Sequence, residues 1–190
     1  MRESNEHRHE GDARYELDRD PTIMGNSAPR LRRLSQLEDY EIADGDPDIR
    51  SWRVFDAEGD AVGTVHDLII DLGTLEARYV DLELAGDLAG SDSDQHVLVP
   101  IGAARLSDDV DAMTLTSLRA SQLASLPRYD HSTITRDREC ELQGALLGLD
   151  RPSDDTGAEF YNHPQFVAAA FWGARRRASN QAYIVRGVTR

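Results

Sequence analysis

Polar and apolar residues alternate most regularly between Arg78 and Leu84. Val80, Leu82 and Leu84 share one face there, and Tyr79, Asp81 and Glu83 share the other. A two-residue period of this kind predicts a strand with one buried face and one solvated face. Upstream, Val62–Leu72 is a long β-rich run with Leu68, Ile70 and Leu72 on one face, and Gly73-Thr74 turns the chain. Ser51–Phe55 reads as a strand, and 56–60 as a hairpin loop in which Gly59 supplies positive φ. Downstream, 85–95 is rich in Gly, Ser and Asp and reads as a loop. Val97, Val99 and Ile101 mark one more strand face, with Pro100 near its end, and Met113 and Leu115 alternate with Thr114 and Thr116 in another. Arg119–Leu126 reads as a short helix stopped by Pro127. Several short strands closed by one helical turn predict a mainly β fold, a small β-barrel with a short helix, over residues 31–130.

The flanks are less regular. Residues 1–30 are polar and aperiodic and read as a flexible arm. Leu34, Leu37 and Tyr40 are spaced for a helical turn or an extended lead-in. Residues 131–190 form a C-terminal extension: a strand and a helix within Thr133–Leu149, a loop over 150–164, then the apolar run Phe166–Trp172 ahead of Arg175, Arg176 and Arg177. That aromatic and basic end has two readings. In one, Phe166, Phe171 and Trp172 pack on the barrel. In the other, they sit at lipid headgroup level with the arginines beside anionic lipid.

Charge sharpens the division. The 190 residues carry a net charge of -14, and every one of the 21 basic residues is arginine. Residues 1–30 hold -2, residues 31–130 hold -13 and residues 131–190 hold +1. An acidic body with a basic end argues against nucleic acid as a partner, because phosphate contacts need positive charge. No apolar run reaches the 18 residues of a membrane span, and the start shows no secretory leader. The single cysteine, Cys140, reads as a packed small side chain.

Catalytic signatures do not emerge. There is no phosphate-binding glycine loop and no nucleophile elbow. Asp44, Asp46 and Asp48 start like a calcium loop, but Ile49 and Phe55 occupy the positions that need Gly and Glu. No metal-ligand set stands out from spacing. His66 shares its strand side with Leu68 and reads as a buried barrel histidine, with a proton relay as the alternative. Asp67, Asp71, Glu76, Asp81 and Glu83 come from two strands that should pair. They read either as a solvated surface or as a carboxylate patch that attracts protons or a basic partner.

Gly45–Arg50, Val62–Asp71, Ala77–Leu84, Val97–Ile101 and Leu123–Pro127, taken in order, resemble the PRC-barrel family over about residues 35–130. The resemblance implies a small β-barrel. That barrel occurs in the cytoplasmic part of the H subunit of purple-bacterial photosynthetic reaction centres, in free-standing bacterial proteins linked to stress, and in a ribosome maturation factor. Ala77–Leu84 looks especially like the H-subunit strand. By resemblance, Asp71 falls where H subunits carry an acid near the quinone proton-uptake path, and Thr74 stands where a second acid is expected. The resulting expectation is a non-catalytic H-type subunit on the cytoplasmic side of the inner membrane, peripheral and without a spanning helix. It would bind no cofactor itself and would cap the acceptor-quinone region. Its partners would be the other reaction-centre subunits and anionic lipid. The proton-uptake candidates are Asp71, Glu76, Asp81, Glu83 and His66. The docking candidates are Phe166, Phe171, Trp172, Arg175, Arg176 and Arg177. The alternative is a free cytoplasmic PRC-barrel adaptor that binds other proteins.

Overall fold

The computed structural model describes residues 30–89, 95–148, 157–173 and 183–187. The expected arm lies outside these residues except for Arg30, as do Arg175, Arg176 and Arg177. The fold is mainly β. Strands β1 (Leu31–Arg33), β2 (Tyr40–Ile42), β3 (Arg53–Phe55), β4 (Ala61–Asp71) and β5 (Glu76–Leu84) lead to a single helical turn, α1 (Gly86–Ala89). Then come β6 (His96–Pro100), β7 (Ala104–Leu106), β8 (Ala112–Leu115), α2 (Ala120–Leu123), α3 (Arg136–Leu147), α4 (Ala169–Trp172) and β9 (Ile184–Arg186). No described helix is long and apolar enough to cross a membrane.

The large sheet runs β6-β5-β4-β3-β8-β7, with β1 also on β4. Every pairing is antiparallel except β3 with β8. The strands at the two ends of this path, β6 and β7, are consecutive in the chain, joined only by the 3-10 turn Ile101–Ala103. The sheet therefore curls until its edges come within one turn of each other. Strands β4 and β5 make the curl together. His66 is an extra residue in β4, between the paired Val65 and Asp67, and Arg78 is one in β5, between the paired Ala77 and Tyr79; such bulges bend a strand and raise its twist. One edge of β4 then takes two partners, β3 along its first half and β1 along its last three residues.

The core departs from the simple two-faced reading. Val80 and Leu82 are buried as expected, but so are Tyr79 and Asp81 on the opposite face. Alternation in sequence shows that one face is more polar; it does not show that the face is bare. Here it is covered by chain from beyond residue 126. Helix α3 packs Glu139, Cys140 and Leu142 inward, capped by Thr135 Oγ1 at its start and by left-handed Gly148 at its end. Phe160 and Phe166 belong to the same core cluster as the barrel strands. The last described strand, β9, pairs with β2, and Tyr183 hydrogen-bonds Pro47 O through its hydroxyl. Strands β7 and β9 are additions to the elements the sequence pattern predicted. Leu72 leaves the strand for the turn, and Thr133–Leu149 contributes helix α3 but no strand among its described residues.

The closest strand approach makes a test. A Cβ placed on Gly63 would lie 2.0 Å from the Glu83 carbonyl oxygen, a backbone atom of the paired strand. At Gly86 it would meet nothing within 4 Å. Gly63→Ala should cost about 3 kcal/mol of stability in denaturant unfolding, and Gly86→Ala should not lower it through any clash. An unfolding midpoint unaffected by Gly63→Ala would contradict the β4–β5 register.

Candidate functional site

The β4–β5 ladder carries charged groups of two kinds, one at its turn end and one near its middle. At the turn end, Asp71 closes β4 and is fully buried. It accepts hydrogen bonds from Arg30 Nε at 2.7 Å, Arg30 Nη2 at 2.6 Å, the Gly73 backbone N–H at 2.9 Å and Arg78 Nε at 3.3 Å. Arg78 also reaches Thr74 Oγ1 at 3.1 Å and Glu76 at 3.2 Å. Burial pushes the Asp71 carboxyl up, but the Arg30 pair, the Gly73 N–H and Arg78 together outweigh it and hold the acid below its ordinary value. Asp71 is thus kept as an anion between two guanidiniums. Glu76 shares one of them. Both belong to an ion cluster that ties β1, β4 and β5 together.

Mid-way along the same ladder, His66, Asp81, His96 and His131 converge. Asp81 lies mid-way along β5, fully buried. His96 opens β6, and its Nδ1 sits 2.8 Å from Asp81 Oδ1. His66 falls in the first β4 bulge, between the paired residues Val65 and Asp67, and so projects beside Asp81 instead of into the barrel. It is exposed, with its Nδ1 4.0 Å from Glu83 Oε2; the expectation of a buried barrel histidine is corrected by this extra residue in the strand. His131 arrives from outside the sheet. A bridge between Val97 and Arg128 and a bond from Tyr129 N to His96 O fix its segment along β6. Its Nε2 then lies 3.2 Å from Asp81 Oδ2.

The three imidazoles touch one another, with ring centroids 4.4 to 5.2 Å apart. Burial raises the Asp81 carboxyl to about 6 against the pull of His131 and His66. Burial lowers His131, although Asp81 draws it the other way. Burial and the Asp81 charge push the Tyr129 hydroxyl up to about 12. His66, Glu83, His96, Tyr129, Asp130 and His131 line an open hollow of about 460 Å³ over the cluster. Three imidazoles and one carboxylate are a donor set that can hold a transition metal.

A further buried carboxylate, Glu139 on α3, faces the outer side of β5. It accepts from Tyr79 Oη at 2.7 Å and Tyr161 Oη at 2.6 Å, and Arg136 lies 3.3 Å away. Burial together with the Glu139 charge raises both phenols above their ordinary value. This triad docks α3 on the sheet.

Of the sequence-predicted residues, His66, Asp81 and Glu83 are brought together, while Asp71 and Glu76 are assembled apart from them. Asp67 is buried as well, accepting from Ser35 Oγ at 2.5 Å and from the Leu68 N–H at 2.8 Å. Of the five acids on these strands, Asp67, Asp71 and Asp81 are buried, while Glu76 and Glu83 keep part of their surface in solvent. Phe166, Phe171 and Trp172 are 3%, 0% and 3% exposed. Phe166 packs edge-on to Tyr79, and Trp172 stacks on Tyr183 at 4.5 Å. Of the two readings of this segment, the rings follow the one that packs them on the barrel, and in that position they face the chain's own core. Cys140 is buried. His96, His131 and Glu139 escaped the sequence reading. Spacing alone does not bring His66, Asp81 and His96 together: Asp81 lies opposite Asp67 and Leu98, His96 lies opposite Glu83, and His66 is the unpaired bulge residue.

A family model for the PRC-barrel domain matches residues 41–122. The match takes in nearly all of β2 and runs to α2. It holds Asp71, His66, Asp81, Glu83 and His96, and it leaves out Arg30, His131 and Glu139.

Asp71 gives a pH-dependent outcome. Its folded carboxyl is held low, so the unfolded chain takes up the proton first as acid is added. The stability it contributes is complete above the ordinary carboxylate value of about 3.9 and is lost as pH falls through the lower folded value. Asp71→Asn should cost about 3 kcal/mol at neutral pH, because it leaves the largely buried Arg78 short of its partner. It should also flatten the acid limb of a stability-against-pH curve measured by denaturant unfolding. An acid limb as steep as that of the parent would show that other carboxylates set it.

Proposed function

With residues 41–122 a PRC-barrel domain, we propose that the chain is a non-catalytic scaffold that docks on another protein through its acidic exterior. The observation that carries this reading is where the exposed acids lie. The deeply buried acids Asp67, Asp71 and Glu139 are each taken up by internal donors. The surface acids crowd instead around β2, with Glu38, Asp39, Glu41 and Asp44 exposed. They crowd again at the β7–β8 hairpin tip, where Asp108 and Asp109 precede Val110, a valine 58% exposed. An apolar tip flanked by carboxylates fits a partner with a basic rim around an apolar seat.

In its finer form the proposal sets this scaffold on the cytoplasmic face of a photosynthetic reaction centre. It would be an H-type cap that stabilises the acceptor-quinone region, as the resemblance of Ala77–Leu84 implies. The docking role does not draw on proton uptake, since Asp71 and Glu76 are both engaged by Arg78. A second reading, the free cytoplasmic adaptor, is favoured by the burial of Phe166, Phe171 and Trp172. That burial removes the rings from any lipid contact. Anionic lipid as a partner then rests on Arg175, Arg176 and Arg177 alone.

Affinity purification of the full chain from its own cells, from membranes and from the soluble fraction, separates the two settings. Reaction-centre subunits among the captured proteins support the cap. A soluble protein partner alone supports the adaptor. In either case, replacing Glu38, Asp39 and Glu41 by their amides should weaken capture and reduce its loss with added salt. Capture indifferent both to these substitutions and to salt would sink the acidic-face reading.

A further inference from the structure

We propose that His66, Asp81, His96 and His131 bind a single divalent transition-metal ion of the zinc class. The reading stands on the site itself and does not depend on the docking partner. One donor atom from each of the four residues lies within 4.8 Å of every other. A tetrahedral ion with bonds of about 2.0 Å needs donors roughly 3.3 Å apart, so small side-chain rotations bring the set to a closed shell. Three imidazoles and one carboxylate suit zinc, cobalt, nickel or copper, and they are the wrong donors for calcium or magnesium, which take oxygen.

A second observation points to a ligand independently of the clustering. Asp81 Oδ2 is buried and has no hydrogen-bond partner. His131 Nε2, 3.2 Å from it, is likewise buried and misaligned for a bond. Buried polar atoms normally find partners, and here two of them face each other across the space an ion would fill. His131 also holds a left-handed backbone, φ 62, a conformation that non-glycine residues adopt at a cost and that concentrates at functional sites. Glu83, 4.0 Å from His66 Nδ1, is placed to orient that ring and to offset the net positive charge of a dication held by one carboxylate. The hollow above the cluster gives an entry path. The acidic trio Asp56, Glu58 and Asp60 offers no comparable site, because Asp56 already accepts from the N–H groups of Glu58, Asp60 and Ala120. Since His66, Asp81 and His96 come from three neighbouring strands and His131 from the following segment, the ion would staple that segment to the sheet.

The test uses the full chain, stripped with a chelator and titrated with Zn²⁺ against a chromophoric competitor. Co²⁺ then serves as a spectroscopic probe. One ion per chain, a tetrahedral Co²⁺ spectrum and a raised melting temperature with Zn²⁺ are expected. His131→Asn keeps a residue that tolerates the left-handed backbone while removing the imidazole. It should weaken Zn²⁺ binding at least ~100-fold, beyond the cost of losing an outer-shell partner. His66→Ala, on the exposed bulge, should do the same, so a folding defect in one variant leaves the other to decide. Replacing by Ala both His7 and His9, the histidines that flank Arg8 in the polar first thirty residues, or separately His163, the residue before Pro164, should change nothing. Absence of stoichiometric binding by the parent chain overturns the proposal. So does binding that survives both His131→Asn and His66→Ala, or that disappears with His7 and His9.

Discussion

Strand β5 must bury both of its faces while carrying acids along one of them, and the rest of the molecule follows from that constraint. Its inner face fills the curl of the sheet with Val80, Leu82 and Leu84. Its outer face carries Tyr79 and Asp81, which cannot leave water without partners. The chain supplies those partners from outside the barrel: Glu139 and Phe166 reach Tyr79, and His131 reaches Asp81. The segments that follow the strands are therefore half of the hydrogen-bonding solution for the central strand. This accounts for one core cluster that runs from Leu31 to Ile184.

The same ladder separates two electrostatic tasks. At the turn end, guanidiniums outnumber the buried carboxylate they surround, and Asp71 is locked as an anion. At the His66 bulge, no arginine hydrogen-bonds Asp81 among the described residues; its neighbours are imidazoles, which are weaker and adaptable partners. A fixed cation makes a rigid fastening. Imidazoles leave the carboxylate open to exchange one partner for another, which is the property a binding site needs. Two aspartates ten residues apart thus take opposite roles through what packs against them.

Much of the barrel was legible in the sequence because its strands obey local rules. Alternation marks Arg78–Leu84, Gly73-Thr74 marks the turn, and Pro127 ends the short helical stretch. The ordered PRC-like segments point to the domain family whose model matches residues 41–122. The sites were far less legible. His66 was misplaced because a bulge shifts the side-chain period by one residue, and bulges leave no reliable sequence mark. His131 and Glu139 act through contacts 50 to 60 residues distant along the chain; nothing local to either residue encodes such contacts. The three-residue strands β7 and β9 are too short for any period to show. The aromatic run at Phe166–Trp172 was visible as apolar, but its destination was set by the uncovered side of β5, a tertiary fact.

The β2–β9 pair has a mechanical consequence. Tyr40 lies opposite Arg186, and Ile42 opposite Ile184, so the start of one strand sits beside the finish of the other. Tension entering at residue 187 and leaving at residue 39 would pull the two apart from a single end, breaking hydrogen bonds one after another like a zipper. The β4–β5 ladder is not loaded in that geometry. Under tension the fastening of the chain's last described strand would peel away at low force while the curled sheet stayed whole, making β9 the molecule's mechanical fuse.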